Sequence, residues 1–296
     1  NSLKYNTLGY KNTAIGQNTL MSNTVGFDNT AIGQDSMKGN TTGYENTALG
    51  QNSLENNISG YKNTAIGQDS MKSNTTGYHN TAIGHDSLVL NTTGYNNTAI
   101  GKNSLENNTT GYENTALGND ALEFNTTGYE NTAIGNQSLE ENTSGYGNTA
   151  IGEHALEENI TGYRNSSIGT YSLTNNTIGY SNTANGFASM YEITTGHENT
   201  ASGRGSLAIS TTGSTNTAIG FYSMLNSTTG TSNTVVGHES LRTNTTGSQN
   251  TVFGKQAGYS NSTGRGNVFL GYQAGYNETG SNKLYIDNSN TSTPLI

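Results

Sequence analysis

Polar and apolar positions recur along this chain with a fixed period of 17 residues. One glycine series runs Gly16, Gly33, Gly50, Gly67 and Gly84 through to Gly254 and Gly271, and a second runs from Gly9, Gly26 and Gly43 to Gly264. Asparagine follows the same spacing from Asn12, Asn29 and Asn46 to Asn250 and Asn267. No insertion or deletion interrupts sixteen copies, and a typical one reads Thr-Gly-Tyr-Glu-Asn-Thr-Ala-Ile-Gly-Gln-Asn-Ser-Leu-Glu-Asn-Asn-Thr. Helical-pair repeats need more than about 30 residues, propeller blades about 40 and leucine-rich repeats about 20 or more. A shorter unit suits one circuit of an all-β parallel β-solenoid, or β-roll, of short strands and tight turns. Successive circuits then pair in register at about 4.8 Å, so sixteen of them predict a length of roughly 75–80 Å. An insertion would break every ladder beyond it, which gives the constant period a physical reason.

The two glycine columns predict corners where φ is positive or a neighbouring backbone passes close by. Between them the run x-Asn-Thr-Ala-Ile predicts a short strand. Its Thr and Ile columns lie two residues apart and share a face, with Ala on the other. The expected inward column is Ile15, Ile32, Leu49, Ile66 and Ile83, which leaves Ala14, Ala31 and Ala48 outside. The Leu/Met column (Leu54, Met71, Leu88) after Ser53, Ser70 and Ser87 is expected in the core as well. The column Asn40, Asn57, Asn74 and Asn91 suits an amide ladder along the axis, and stacked threonines suit strands.

Composition sharpens this picture. Only 30% of the residues are hydrophobic, yet just 11% are charged, with a single Pro and 18 Tyr. Disordered chains combine low hydrophobicity with high charge, so this balance favours β-structure rich in turns. A net charge of −9 argues against nucleic-acid binding. No apolar run reaches the ~18 residues of a membrane helix, so no membrane insertion is expected. With no cysteine, disulfides, thiolate metal sites and cysteine catalysis are excluded. The chain starts at Asn1 rather than Met, without a signal peptide, and reads as a mature or excised piece.

About two large apolar side chains per circuit make a thin core, and partners are expected to supplement it. The outward alanines Ala48, Ala65, Ala82, Ala99, Ala116 and Ala133 form a small apolar stripe suited to close contact between chains, which predicts a homo-oligomer. The stretch Thr-Gly-x-x-Asn-Thr-Ala-Ile-Gly-x-x-Ser resembles the head repeat of YadA-type trimeric autotransporter adhesins, with three additional residues after the Leu column. The likeness covers nearly the whole chain, Gly9 to Gly271. It implies a left-handed β-roll trimerised about a common axis. Similar repeats occur in tail-fibre proteins of phages and injection machines, where the roll leads into a stalk.

Three regions are expected: regular repeats with an aromatic column over 1–184, divergent repeats over 185–281, and an exit segment over 282–296. Asn1-Ser2-Leu3 matches the middle of a coil, an end expected to pair with something else. After Tyr180 the aromatic column gives way to His197, Ser214, Thr231, Ser248 and Arg265, and Asn185 and Ser202 replace Ile nearby. Near the C-terminal end Val252, Phe253, Phe269 and Leu270 replace Ala-Ile, while Gly258 and Gly275 replace Leu, as in a capping or transition zone.

The candidate ligand surface is the column Tyr44, Tyr61, Tyr78, Tyr95, Tyr112, Tyr129, Tyr146 and Tyr163, whose rings could stack sugars. The blander reading is packing over the three additional residues of the coil or against a neighbouring chain. Glu106, Glu123, Glu140 and Glu157 share a column and could attract a divalent cation, although a solvated face is the simpler reading. Lys38, Glu55 and Lys72 alternate as charge pairs do. His85 and His238 share a column nine coils apart. No catalytic grouping, cofactor or metal site is expected. The Asn-x-Ser/Thr triplets are explained by ladders without glycans. The expected function is therefore non-enzymatic: a structural and adhesive extracellular fibre segment on a cell, virion or tail-fibre surface. Its partners would be copies of itself and an unknown surface receptor or glycan. The alternatives are an ice-binding solenoid, which needs Thr at i and i+2 on a flat face, and a monomeric carbohydrate-binding solenoid. A polysaccharide-cleaving solenoid would need a carboxylate pair in one cleft, and uniform coils offer none.

Overall fold

The computed structural model describes residues 2–289 and is all-β, a parallel β-solenoid of about sixteen turns. Two compact units divide after Gly147. The first holds β1 (Thr13–Ile15), β2 (Thr30–Ile32), β3 (Thr47–Leu49), β4 (Thr64–Ile66), β5 (Thr81–Ile83), β6 (Thr98–Ile100), β7 (Thr115–Leu117) and β8 (Thr132–Ile134). The second holds β9 (Thr149–Ile151), β10 (Ser166–Ile168), β11 (Thr183–Asn185), β12 (Thr200–Ser202), β13 (Thr217–Ile219), β14 (Thr234–Val236), β15 (Thr251–Phe253), β16 (Val268–Leu270) and β17 (Leu284–Ile286). Within each unit successive strands pair in parallel with like residues opposite like, for example Ala65 opposite Ala82 and Ala201 opposite Ala218.

Strand orientation is the reverse of the expected one. The alanine column, including Ala48, Ala65, Ala82, Ala99, Ala116 and Ala133, is fully buried inside the coil. These residues therefore cannot form an interface between chains. Thr and Ile point outward instead, with Ile66 37% and Ile83 36% exposed. A period-two pattern fixes which residues share a face but not which face is the inside. Volume settles that choice. Each turn of the first unit also buries one Leu or Met (Leu54, Met71, Leu88), which leaves room for only a small side chain opposite it, alanine throughout β2 to β8, and in the second unit at most Val235 on the turn of Leu241. The exception proves the constraint. In the second unit Phe269 takes the alanine position, and the Leu column is emptied to Gly258 and Gly275, where an added Cβ would stand 2.6 Å from the Phe269 ring.

The rest of the interior is polar and ladder-bonded, which satisfies most of its buried groups; Asn176 Oδ1, Ser210 Oγ, Asn244 Oδ1 and Asn261 Oδ1 in the second unit are left without a partner among the described residues. Asn74 donates from Nδ2 to Asn57 Oδ1 at 2.7 Å and to the Gly77 carbonyl at 3.1 Å, and receives Asn91 Nδ2 on its own Oδ1 at 2.9 Å. This is the amide ladder expected for the Asn40–Asn91 column. A second ladder runs through Asn29, Asn46, Asn63 and Asn80, where each Oδ1 accepts both the backbone N–H and Nδ2 of the next turn. Ser70 and Ser87 join Oγ to Oγ at 3.1 Å.

Both glycine columns mark corners, for different reasons. Gly84 has φ +145°, and a Cβ there would overlap the Gly101 carbonyl. Gly77 keeps an ordinary φ but is pressed between the Asn74 side chain and the Gly94 carbonyl. Three further columns turn through left-handed conformations mostly without glycine, for example at Asp69 (φ 56°), Met71 (φ 51°) and Lys62 (φ 54°).

In the second unit β17 pairs with β16 sixteen residues back, Val268 opposite Leu284. The expected exit segment thus opens with one more rung, and its residues 290–296 lie outside the described residues.

Candidate functional site

With the alanines inside, the outer face of each strand in the first unit carries one Thr and one Ile or Leu. In the first unit this column runs Ile15, Ile32, Leu49, Ile66, Ile83, Ile100, Leu117, Ile134 without a charge or a break. Its isoleucines are between 36% and 59% exposed, while Leu49 and Leu117 are half-buried. A single exposed isoleucine is ordinary, whereas a contiguous apolar stripe marks an interaction surface. The sequence contains this column, but it was expected in the core. In the second unit Ile151, Ile168, Ile219 and Phe253 are exposed in the same column, interrupted by Asn185 and Ser202.

The tyrosine column forms a continuous ring stack in the first unit. Tyr44–Tyr61, Tyr61–Tyr78, Tyr112–Tyr129 and Tyr129–Tyr146 stand 4.9 Å apart with planes within 7° of parallel. Tyr78–Tyr95 and Tyr95–Tyr112 stand 5.0 Å apart, and in the second unit Tyr163 stacks on Tyr180 at 5.0 Å. An interior ring of this stack has a neighbour on each face. Only edges and hydroxyls reach solvent, so the geometry that stacks a sugar on an aromatic face is already occupied by tyrosine. Packing around Tyr112, with Tyr129 and Tyr95 beside it, raises its phenol pKa.

In the acidic column, burial pushes the Glu123 carboxyl up to about 7, helped by the charges of Asp120, Glu106 and Glu140. Burial, with Asp86 and Asp120, raises Glu106 as well. The expected charge pairing appears at Lys38, whose Nζ is 3.3 Å from Asp35 and 3.8 Å from Glu55.

One grouping the sequence reading did not find is Asp69, His85 and Asp86, whose ligand atoms lie within 4.8 Å of one another. The Asn18–Asp35 and Asn52–Asp69 pairs in this column place an amide against a carboxylate; Asp86 instead follows another aspartate. Its Oδ2 is met by His85 Nδ1 at 2.7 Å, while Asp69 is held by Asn52 Nδ2 at 2.8 Å and Lys72 Nζ at 3.0 Å. These local donors already satisfy the trio at the surface. Among the described residues no helix is long and apolar enough to cross a membrane.

Compared with known families and with curated proteins, the chain matches no family model and no curated protein.

Proposed function

We propose that this chain is a non-enzymatic segment of an extracellular fibre, a stiff β-solenoid that assembles with two copies of itself and displays an adhesive surface. The observation that carries this reading is the uncharged Ile/Leu column on the outside of the first unit. An isolated chain would leave it in water, whereas identical chains set side by side would cover it with itself, rung against rung. The assembly face is therefore the Ile/Leu column, replacing the alanine stripe. The likeness of Thr-Gly-x-x-Asn-Thr-Ala-Ile-Gly-x-x-Ser to YadA-type head repeats supports a parallel, left-handed trimer and a place on a cell, virion or tail-fibre surface. The ladders support stiffness, because every turn repeats the same buried amide and backbone bonds.

The ice-binding alternative gains little from the outward face, which alternates Thr with Ile instead of presenting Thr twice. Native mass spectrometry tests the proposal. A mass of three chains is expected, reduced to one chain by the double substitution Ile66→Asp and Ile83→Asp with the far-UV spectrum unchanged. A wild-type monomer at micromolar concentration overturns it.

A further inference from the structure

A strict repeat makes every turn alike, so a place where several columns change together on neighbouring turns stands out. Consistency at all levels specifies a fold, and local departures from it concentrate at functional sites. The second unit contains one such place on the turns of β10, β11 and β12. Tyr171, Phe187, Ala188 and Tyr191 line a cavity of about 240 Å³ there. None of these residue types occurs in its column in the first unit. Tyr171 and Ala188 stand where Asn18, Asp35 and Asn52 stand in the first unit; Phe187 replaces Gln34, and Tyr191 replaces Lys38.

The rings form a floor and two walls. Tyr171 rests one face on His154, 5.0 Å away and 6° from parallel. The next turn places Ala188 at the position of Tyr171, so no ring covers the other face. Phe187 and Tyr191 stand at 87° and 80° to Tyr171, with centroids 6.0 and 6.4 Å away. Unlike the stacked tyrosine column, this group keeps an aromatic face open. Outside the lining but next to it, exposed Arg204 lies over the Phe187 ring at 5.4 Å and the Phe221 ring at 6.0 Å. Its guanidinium has no carboxylate partner among the described residues, in a chain whose net charge is −9.

We propose that this bowl binds a single pyranose sugar bearing a carboxylate. The C–H face of the sugar lies on Tyr171, its edges meet Phe187 and Tyr191, and its carboxylate pairs with Arg204. Walls perpendicular to the floor suit a thick, puckered ring better than a flat one, which would be gripped between parallel faces. The cavity falls below the ~300 Å³ at which drug-sized ligand pockets begin, so it suits one ring. Aromatic cages also take quaternary ammonium groups, but the Arg204 charge over the Phe187 ring opposes a cation. The same guanidinium offers a two-pronged donor to a carboxylate. The site is complete within one chain, so it stands or falls independently of assembly.

The test is saturation-transfer NMR and calorimetry on the whole chain. The probes are N-acetylneuraminic acid and methyl glycosides of glucuronic and galacturonic acid, with methyl glucoside and methyl galactoside as neutral counterparts. At least one acidic sugar should bind about tenfold more tightly than the neutral ones. Arg204→Gln should abolish that advantage, and Tyr191→Ala should weaken the binding of acidic and neutral sugars alike. If Tyr191→Ala lowers the melting temperature, Arg204→Gln, an exposed side chain, still decides the outcome. No binding of any acidic sugar at about 10 mM overturns the proposal. So do equal affinities for acidic and neutral sugars, or an acidic-sugar affinity unchanged by Arg204→Gln.

Discussion

Left-handed backbone at non-glycine residues is the most demanding feature of this coil at the scale of single residues. Glu113 is exposed, has φ 56°, and makes no ion pair among the described residues. A side chain in this region costs about 1–2 kcal/mol through contact of Cβ with the backbone, and β-branching worsens it. Glu113→Gly removes that contact but adds entropy to the unfolded chain, for a net gain of about 0.5–1 kcal/mol. Glu113→Val should lose about 1 kcal/mol instead. Urea midpoints for the two variants should therefore move in opposite directions. The sequence carries a trace of this conformation. Gly147 and Gly266 occur in the Glu113 column, Gly205 in the Asp69 column, and Gly258 and Gly275 in the Leu column, with φ of 60–67°. Set against the regular glycine columns, these scattered ones are the signal for three extra left-handed positions. The regular Leu and Glu residues hide it.

Ladders set the properties of elements, because whatever one turn does is repeated about 5 Å away. Partial burial, and then like charges in a column, raise the proton affinity of its carboxyls. Glu123, at about 7 in the folded chain against an ordinary 4.5, binds a proton that the unfolded chain releases. The stabilisation is fully present below pH 4.5 and is lost as the pH rises through 7. Asp35 and Asp69 are shifted the other way, below 3.8, so their stabilisation is lost only on further acidification. The melting temperature should accordingly be higher at pH 5 than at pH 8, and Glu123→Gln should flatten that slope. A wild-type melting temperature that is level or rises from pH 5 to pH 8 would contradict this reading of the column. Strand positions, the amide ladder and the tyrosine column were legible from the 17-residue period, but not that its rings stack on one another. The facing of the strand was not, because Thr-Ala-Ile satisfies period two either way up. What decided it, the space left opposite Leu or Met, is a three-dimensional quantity. The aromatic bowl was hidden for a related reason: Tyr171 and Phe187 are sixteen residues apart and meet only when turns stack.

For the whole molecule, the reversed strands change what the surface offers to other chains. Small, buried alanines take the role first expected of the isoleucines, and the isoleucines become the contact surface of the assembly proposed above. The chain contains no cysteine, so a single introduced thiol reports on one position at a time. The most direct measurement compares Ile83→Cys with Ala82→Cys, adjacent residues on opposite faces of β5. Under mild oxidation Ile83→Cys should give covalent dimers across the shared face. Ala82→Cys should remain monomeric on a denaturing gel and unreactive toward thiol reagents until unfolded. If Ala82→Cys cross-links while Ile83→Cys stays monomeric, or neither does, assembly through the Ile/Leu column is contradicted.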